Sequence, residues 1–190
     1  VENFFQTSDL YQQILPTVEG FSLTDQFMAM LLAIMSMVAA IPALLVILKL
    51  RAEERANRTE HLLARAVSRT QLLASFLGLS LVVAIAMQLL SIVGLWSAAI
   101  SVMEDPFPLG KTLWISLAYV PPIWILVGLA TALIAFAPKR AGLVWLYLGY
   151  VFFTDYFGNL LQLPEWMPKL TPWGYIPQVP LEKLGVGTIL

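Results

Sequence analysis

The sequence predicts an all-α membrane protein, a bundle of four transmembrane helices joined by external loop segments and a helical cytoplasmic loop. Three observations carry this reading. Hydrophobic residues make up 59% of the 190-residue chain and charged residues 12%, where an average soluble domain carries about 25% charged residues. The charges are segregated, leaving four long runs almost free of them. The basic residues then fall on alternate sides of those runs. The same composition argues against a soluble enzyme, a disordered chain and a nucleic-acid binder. With a net charge of −1 there is no basic field to attract phosphate backbones. The chain has no cysteine and His61 is its single histidine. Disulfides, thiolate sites and multi-histidine metal sites are therefore not available to it, and no cofactor is expected.

A helix rises 1.5 Å per residue, so about 20 residues cross a hydrocarbon core roughly 30 Å thick. The runs at 27–48, 70–103, 112–138 and 141–163 are all long enough. Barrel strands would alternate in polarity, whereas these runs are continuous in Leu, Ala, Ile, Val and Met. Orientation follows from the positive-inside rule. Segments 49–69 and 139–140 hold 8 of the 11 basic residues, while the remaining segments outside the runs, with Asp155, hold 9 of the 12 acids. Residues 1–26 are thus expected outside, 49–69 and 139–140 in the cytoplasm, and 104–111 and 164–190 outside.

Each element has its own signals. Residues 1–26 place Phe4, Phe5, Tyr11, Ile14 and Leu15 among polar residues, and Gly20, Ser22 and Thr24 offer a break and a cap. The first span contains Pro42, which removes one helix hydrogen bond and serves either as a packing kink or as a gating hinge. The second run would be about 51 Å long as one helix, too long for an untilted span. Ser68-Arg-Thr-Gln71 reads as a capping box at its start. Gly94 marks a loosening, and Glu104-Asp-Pro-Phe-Pro108 ends the run. In the third run, Pro121 and Pro122 force either a kink or a discontinuous helix lining a pathway. The fourth run carries Asp155 about 21 Å beyond Ala141. It reads as an interfacial or paired acid, or as a substrate or gating group. The tail, with Pro164, Pro168, Pro172, Pro177 and Pro180 beside Trp166, Trp173 and Tyr175, reads as a re-entrant or surface-lying loop. The chain opens on Val1 with no basic residue before Lys49, and it closes on Gly185–Leu190 without a punctuating element. It is expected to be a piece of a larger membrane protein without a signal peptide.

The loop at 49–69 carries the most information. Leu62, Leu63, Ala66 and Val67 share one helix face, and Glu54 and Arg58 stand at i,i+4 spacing. A helix lying on lipid headgroups and a helix docking a soluble partner both fit this pattern. Glu53-Glu-Arg-Ala-Asn-Arg58 also matches E-E-x-x-x-R, the first motif of intramembrane CAAX-type proteases. Those enzymes need histidines on other helices, and this chain has His61 alone.

Glu53-Glu54 followed by Glu60-His-Leu-Leu-Ala-Arg-Ala-Val-Ser-Arg69 resembles the loop after the second span in permease subunits of type-2 ABC exporters. The run Leu170-Thr-Pro-Trp-Gly-Tyr-Ile-Pro-Gln-Val-Pro180 is similar to the external loop of the branch that exports polyketide antibiotics, tetronasin among them. The resemblance implies that 49–69 is a coupling helix seated in a cleft of an ATP-binding subunit. Glu53, Glu54, Arg58, Glu60, Leu62, Leu63, Arg65 and Arg69 would form that contact, with Ser68 capping the next span. It implies spans two to five of a six-span unit, a second permease half or subunit, and a multi-pass position in a bacterial-type plasma membrane. Pro42, Pro121, Pro122 and Asp155 become hinge or pathway candidates. No G-x-x-x-x-G-K-[ST] pattern occurs, so ATP hydrolysis is expected in a partner and the chain itself is not expected to be an enzyme. The expected function is the transmembrane subunit of an exporter of a hydrophobic or amphiphilic compound; the alternative is a membrane scaffold or assembly protein without transport.

Overall fold

The structure, a computed structural model, describes residues 23–56, 68–102, 109–158, 161, 163–164 and 166–175. Among them the regular structure is helical and no strand occurs. The order is α1 (Leu23–Arg55), α2 (Arg69–Val102), α3 (Leu109–Leu117), α4 (Val120–Phe136), a 3₁₀ turn at Pro138–Arg140, α5 (Leu143–Phe157), α6 (Trp166–Lys169) and a 3₁₀ turn at Trp173–Tyr175. Three helical stretches are long and apolar enough to cross a membrane: Met30–Arg55, Arg69–Ser101 and Thr112–Phe136. Leu143–Phe157 is a shorter apolar helix of 15 residues. This is an all-α membrane protein.

Helix α1 does not stop where the apolar run stops. It continues through Lys49-Leu-Arg-Ala-Glu-Glu-Arg55, because every residue in that stretch is a good helix former. The expected loop at 49–69 therefore begins as a helical arm of about 10 Å. The helix is unbroken across Pro42. Ser36, Ala40, Ala43, Ile47 and Leu50 form a buried stripe at three- and four-residue spacing, with Ala39 and Leu44 beside it. Small residues there permit close helix approach. Val38, Ile41 and Leu45 face outward.

Helix α2 has 34 residues. Its fully buried stripe is narrow: Ser80, Ala84, Gln88 and Ile92, four residues apart. Leu79, Val82, Leu90 and Val93 are exposed. A single apolar face of this extent is a liability in water, and acyl chains solvate it in a bilayer.

The third span is discontinuous. Helix α3 ends at Leu117, Ala118 and Tyr119 form a turn, and α4 restarts at Val120. The Ala118 and Tyr119 amides donate three residues back, to Ile115 O at 3.2 Å and Ser116 O at 3.0 Å. Pro121 and Pro122 sit in the first turn of α4, where an amide N–H has no intrahelical acceptor and proline costs least. Helix α2 packs against both α3 and α4.

The chain divides into two compact units, one of Ser36–Leu148 and one joining the chain before Ser36 to Gly149 and beyond. In the second unit, Tyr150 Oη donates to Met167 O at 2.9 Å and Tyr156 Oη to Met30 O at 3.4 Å. Trp173 and Thr171 are buried. Thr171 Oγ1 donates to Pro168 O at 2.8 Å and accepts from the Gly174 amide at 3.1 Å. The described tail thus folds into short helical turns.

Helix α5 covers 143–157 rather than the 141–163 of the apolar run. Its stop is local. The Gly158 amide donates to Thr154 O at 3.1 Å and the Leu161 amide to Phe157 O at 2.9 Å. A Cβ on Gly158 would collide with the Thr154 carbonyl oxygen. Gly158→Ala is expected to cost about 1–3 kcal/mol through that clash. Gly78→Ala, in open space on α2, is expected to change stability by no more than about 1 kcal/mol. Thermal unfolding of both variants in detergent checks the contrast, and equal midpoints would overturn it.

Candidate functional site

Three helix ends meet at Arg69. The Arg69 Nε–H donates to Glu54 Oε1 at 2.9 Å, and Nη2 lies 3.5 Å from Glu54 Oε2. This two-pronged contact ties the last turn of α1 to the first residue of α2. Arg69 Nη2 also donates to Ile134 O at 3.4 Å, near the end of α4. The third contact has a cause in the chain. An α-helical carbonyl accepts from the amide four residues on, and four residues after Ile134 stands Pro138, which has no N–H. Arg69 supplies the missing donor. A guanidinium presents several N–H groups in a fixed fork, so one side chain serves a carboxylate and a carbonyl together.

The residue before Arg69 completes the local frame. Gln71 N–H donates to Ser68 Oγ at 3.2 Å, and Ser68 N–H donates to Gln71 Oε1 at 3.0 Å. These are the two reciprocal bonds of a capping box, which satisfy amides at the start of a helix. Arg69 is therefore held on a helix end of defined geometry. Lys139 and Arg140 lie exposed in the 3₁₀ turn that follows α4.

A second polar tie lies deep in the same unit. Gln88 Nε2 donates to Ser116 Oγ at 3.0 Å and approaches Ser116 O at 3.4 Å. Both residues are 0% exposed, and Gln88 Oε1 has no hydrogen-bond partner.

The family model described as "Multidrug efflux system permease Rv1217c, C-terminal domain" matches residues 1–190. The chain belongs to this family. The multidrug efflux system permease protein Rv1217c of Mycobacterium tuberculosis (strain ATCC 25618 / H37Rv) is 31% identical over 159 residues, which cover 83% of this chain and 29% of that protein. The match thus spans under a third of the relative's length. Family membership and the apolar helices place the protein in the cell membrane as a multi-pass protein.

Within this chain the expected site residues are distributed unevenly. Glu54, Arg69 and Ser68 come together at the junction of α1 and α2, and Glu53 precedes Glu54 on the same turn. Arg58, Glu60, Leu62, Leu63 and Arg65 lie outside the described residues. Among the described residues Glu54 pairs with Arg69, 15 residues away; Arg58, its neighbour at i,i+4, lies outside them. Pro42 lies within α1, and Pro121 and Pro122 open α4, far along the chain from Arg69. Asp155 is exposed near the end of α5. Around it Phe152 stacks on Tyr156 at 4.6 Å, and Phe153 on Phe157 at 5.5 Å.

Sequence reasoning missed Gln88, Ser116 and the Ile134 carbonyl. A usable signal existed for Gln88. The hydroxyls of Ser75, Ser80, Ser91, Ser97 and Ser101 all bond to carbonyls of their own helix. A glutamine mid-span is longer and must find its partner elsewhere.

The Glu54 and Arg69 side chains are 22% and 52% exposed, so solvent screens their attraction. A double-mutant cycle of Glu54→Ala and Arg69→Ala is expected to give a coupling of about 0.2–1 kcal/mol that shrinks as salt rises. Arg69→Lys should not restore it fully, since a lysine lacks the fork. A coupling that salt leaves unchanged would contradict the partly solvated geometry.

Proposed function

We propose that this chain contributes spanning helices to the permease of an ABC exporter, and that a separate ATP-binding subunit docks on the segment between α1 and α2. One observation carries the reading: Arg69 joins the end of α1, the start of α2 and the end of α4 at the base of that segment. Movement imposed on the segment reaches three helices at once through the contacts of one guanidinium. A rigid-body shift of helices is a known way to transmit partner closure. The relative named as a multidrug efflux system permease supports an exporter, and the loop's resemblance to a coupling helix supports an ATP-driven one.

On this reading Glu60, Leu62, Leu63 and Arg65 meet the ATP-binding subunit, with Arg58 and Glu53 at the rim. Glu54 and Arg69 act one step back, by holding the segment's two ends together. The basic ends of the spans face the cytoplasm, where ATP is available. A second permease half or subunit completes the path. The cargo is a hydrophobic or amphiphilic compound, and the 170–180 run favours an antibiotic of the polyketide class.

Leu62→Asp in the full-length permease should lower co-purification of its ATP-binding subunit at least about tenfold, the loss expected when an apolar anchor at an interface is replaced by a charge. Glu60→Ala should weaken it less. The melting temperature of the permease alone should stay unchanged. Co-purification and ATPase rates unaffected by both substitutions would reject the docking site and favour the scaffold reading.

A further inference from the structure

Helix α2 holds both halves of the discontinuous third span, each by a different polar tie. It holds α4 through Arg69 and the Ile134 carbonyl. It holds α3 through Gln88 and Ser116. The two ties are 19 residues apart on α2, or about 28 Å. Between and beyond them the contact of α2 is through the stripe Ser80, Ala84 and Ile92. The turn at Ala118–Tyr119 begins two residues after Ser116.

Backbone bonding across that turn is thin. In a continuous helix the carbonyls of Leu117 and Ala118 would accept from residues 121 and 122. Both are prolines and have no N–H to give. The angle between α3 and α4 is therefore not fixed by a helical ladder. The bonds each half makes to α2 contribute to setting it.

The two ties differ in kind. At the α4 side a charged guanidinium donates, and a long apolar face (Ile123, Leu126, Val127, Ala130 and Ile134) is buried as well. At the α3 side a neutral amide donates, and only half of it is used. Gln88 Oε1 is buried with nothing to accept from. A half-satisfied amide in an apolar bundle is a poor bargain energetically. A rotation or shift that brings Oε1 to a donor would offset the loss of the bond to Ser116.

We propose that Gln88 is the latch of the α3–α4 joint: when it releases Ser116, α3 swings about Ala118–Tyr119 while α4 stays docked on α2. Gln88 is a positioning residue, and its role needs only the fold described above. The latch therefore stands or falls independently of the exporter reading.

The test uses the full-length permease in lipid nanodiscs, with any cysteine outside this segment replaced by serine. Spin-label pairs are introduced at outward-facing sites. Leu90→Cys with Trp114→Cys reports α2 against α3, and Val82→Cys with Ile125→Cys reports α2 against α4; all four native side chains are exposed. Gln88→Leu should roughly double the width of the α2–α3 distance distribution and leave the α2–α4 distribution unchanged, as expected for one element released from a rigid pair. Ser116→Ala removes the side-chain acceptor with the loss of a single oxygen and should broaden the same pair in the same direction. If Gln88→Leu fails to fold, Ser116→Ala decides alone. An α2–α3 distribution that neither substitution broadens overturns the latch. Equal broadening of both pairs also overturns it, since that is the mark of general loosening.

Discussion

Arg69 is the residue on which the arrangement of helix ends depends. It stands at the first position of α2, fixed by the Ser68–Gln71 capping box, and its guanidinium reaches two other helices. Neither contact would exist without a feature elsewhere in the chain. The carboxylate of Glu54 is in reach because α1 continues as a helix past its apolar run. The carbonyl of Ile134 is open because Pro138 cannot donate to it. Local choices at 49–55, 68–71 and 138 thus converge on one side chain.

The membrane explains why such contacts matter. In hydrocarbon a backbone carbonyl without a donor has no water to turn to, and interruption of a helix is tolerated where protein groups fill the gap. This chain interrupts the third span with Pro121 and Pro122 and ends it just before Pro138. Beside the first interruption, Gln88 reaches Ser116; beside the second, Arg69 reaches Ile134. Both donors belong to α2, whose own polar side chains are otherwise largely hydroxyls turned back on their helix. A long helix with few buried residues thereby serves as the common support for a broken one.

The parts legible in the sequence are those decided by local pattern. Charge segregation gave the helical membrane class. The S-x-x-Q spacing gave a cap whose partners are three residues apart. The Pro121–Pro122 pair gave an interruption, but the choice between a kink and a break belonged to tertiary packing. The helices α1 and α5 do not share the bounds of the apolar runs they contain. Charged residues at 49–55 are strong helix formers and carry α1 onward. Helix α5 ends at Phe157, and the next residue is a glycine because a backbone carbonyl occupies the space of a Cβ there. The Arg69–Ile134 contact was beyond sequence reasoning, because it joins a side chain to a main-chain atom 65 residues away.

Magnitudes decide what the Arg69 cluster does. A partly exposed ion pair is worth about 0.2–1 kcal/mol. Burying one Leu or Ile side chain is worth about 1.5–3 kcal/mol in water, and close packing takes over that role in lipid. The stripe of α1 and the inner face of α4 each bury several such residues, so the cluster does not hold the bundle together. Its contribution is geometric: it ties the end of α1, the start of α2 and the end of α4 to one another. A contact of that kind can be remade at low cost when helices move as rigid bodies, while the apolar stripes slide only in steps of a turn. The base of the α1–α2 segment is thus positioned by contacts of low individual strength.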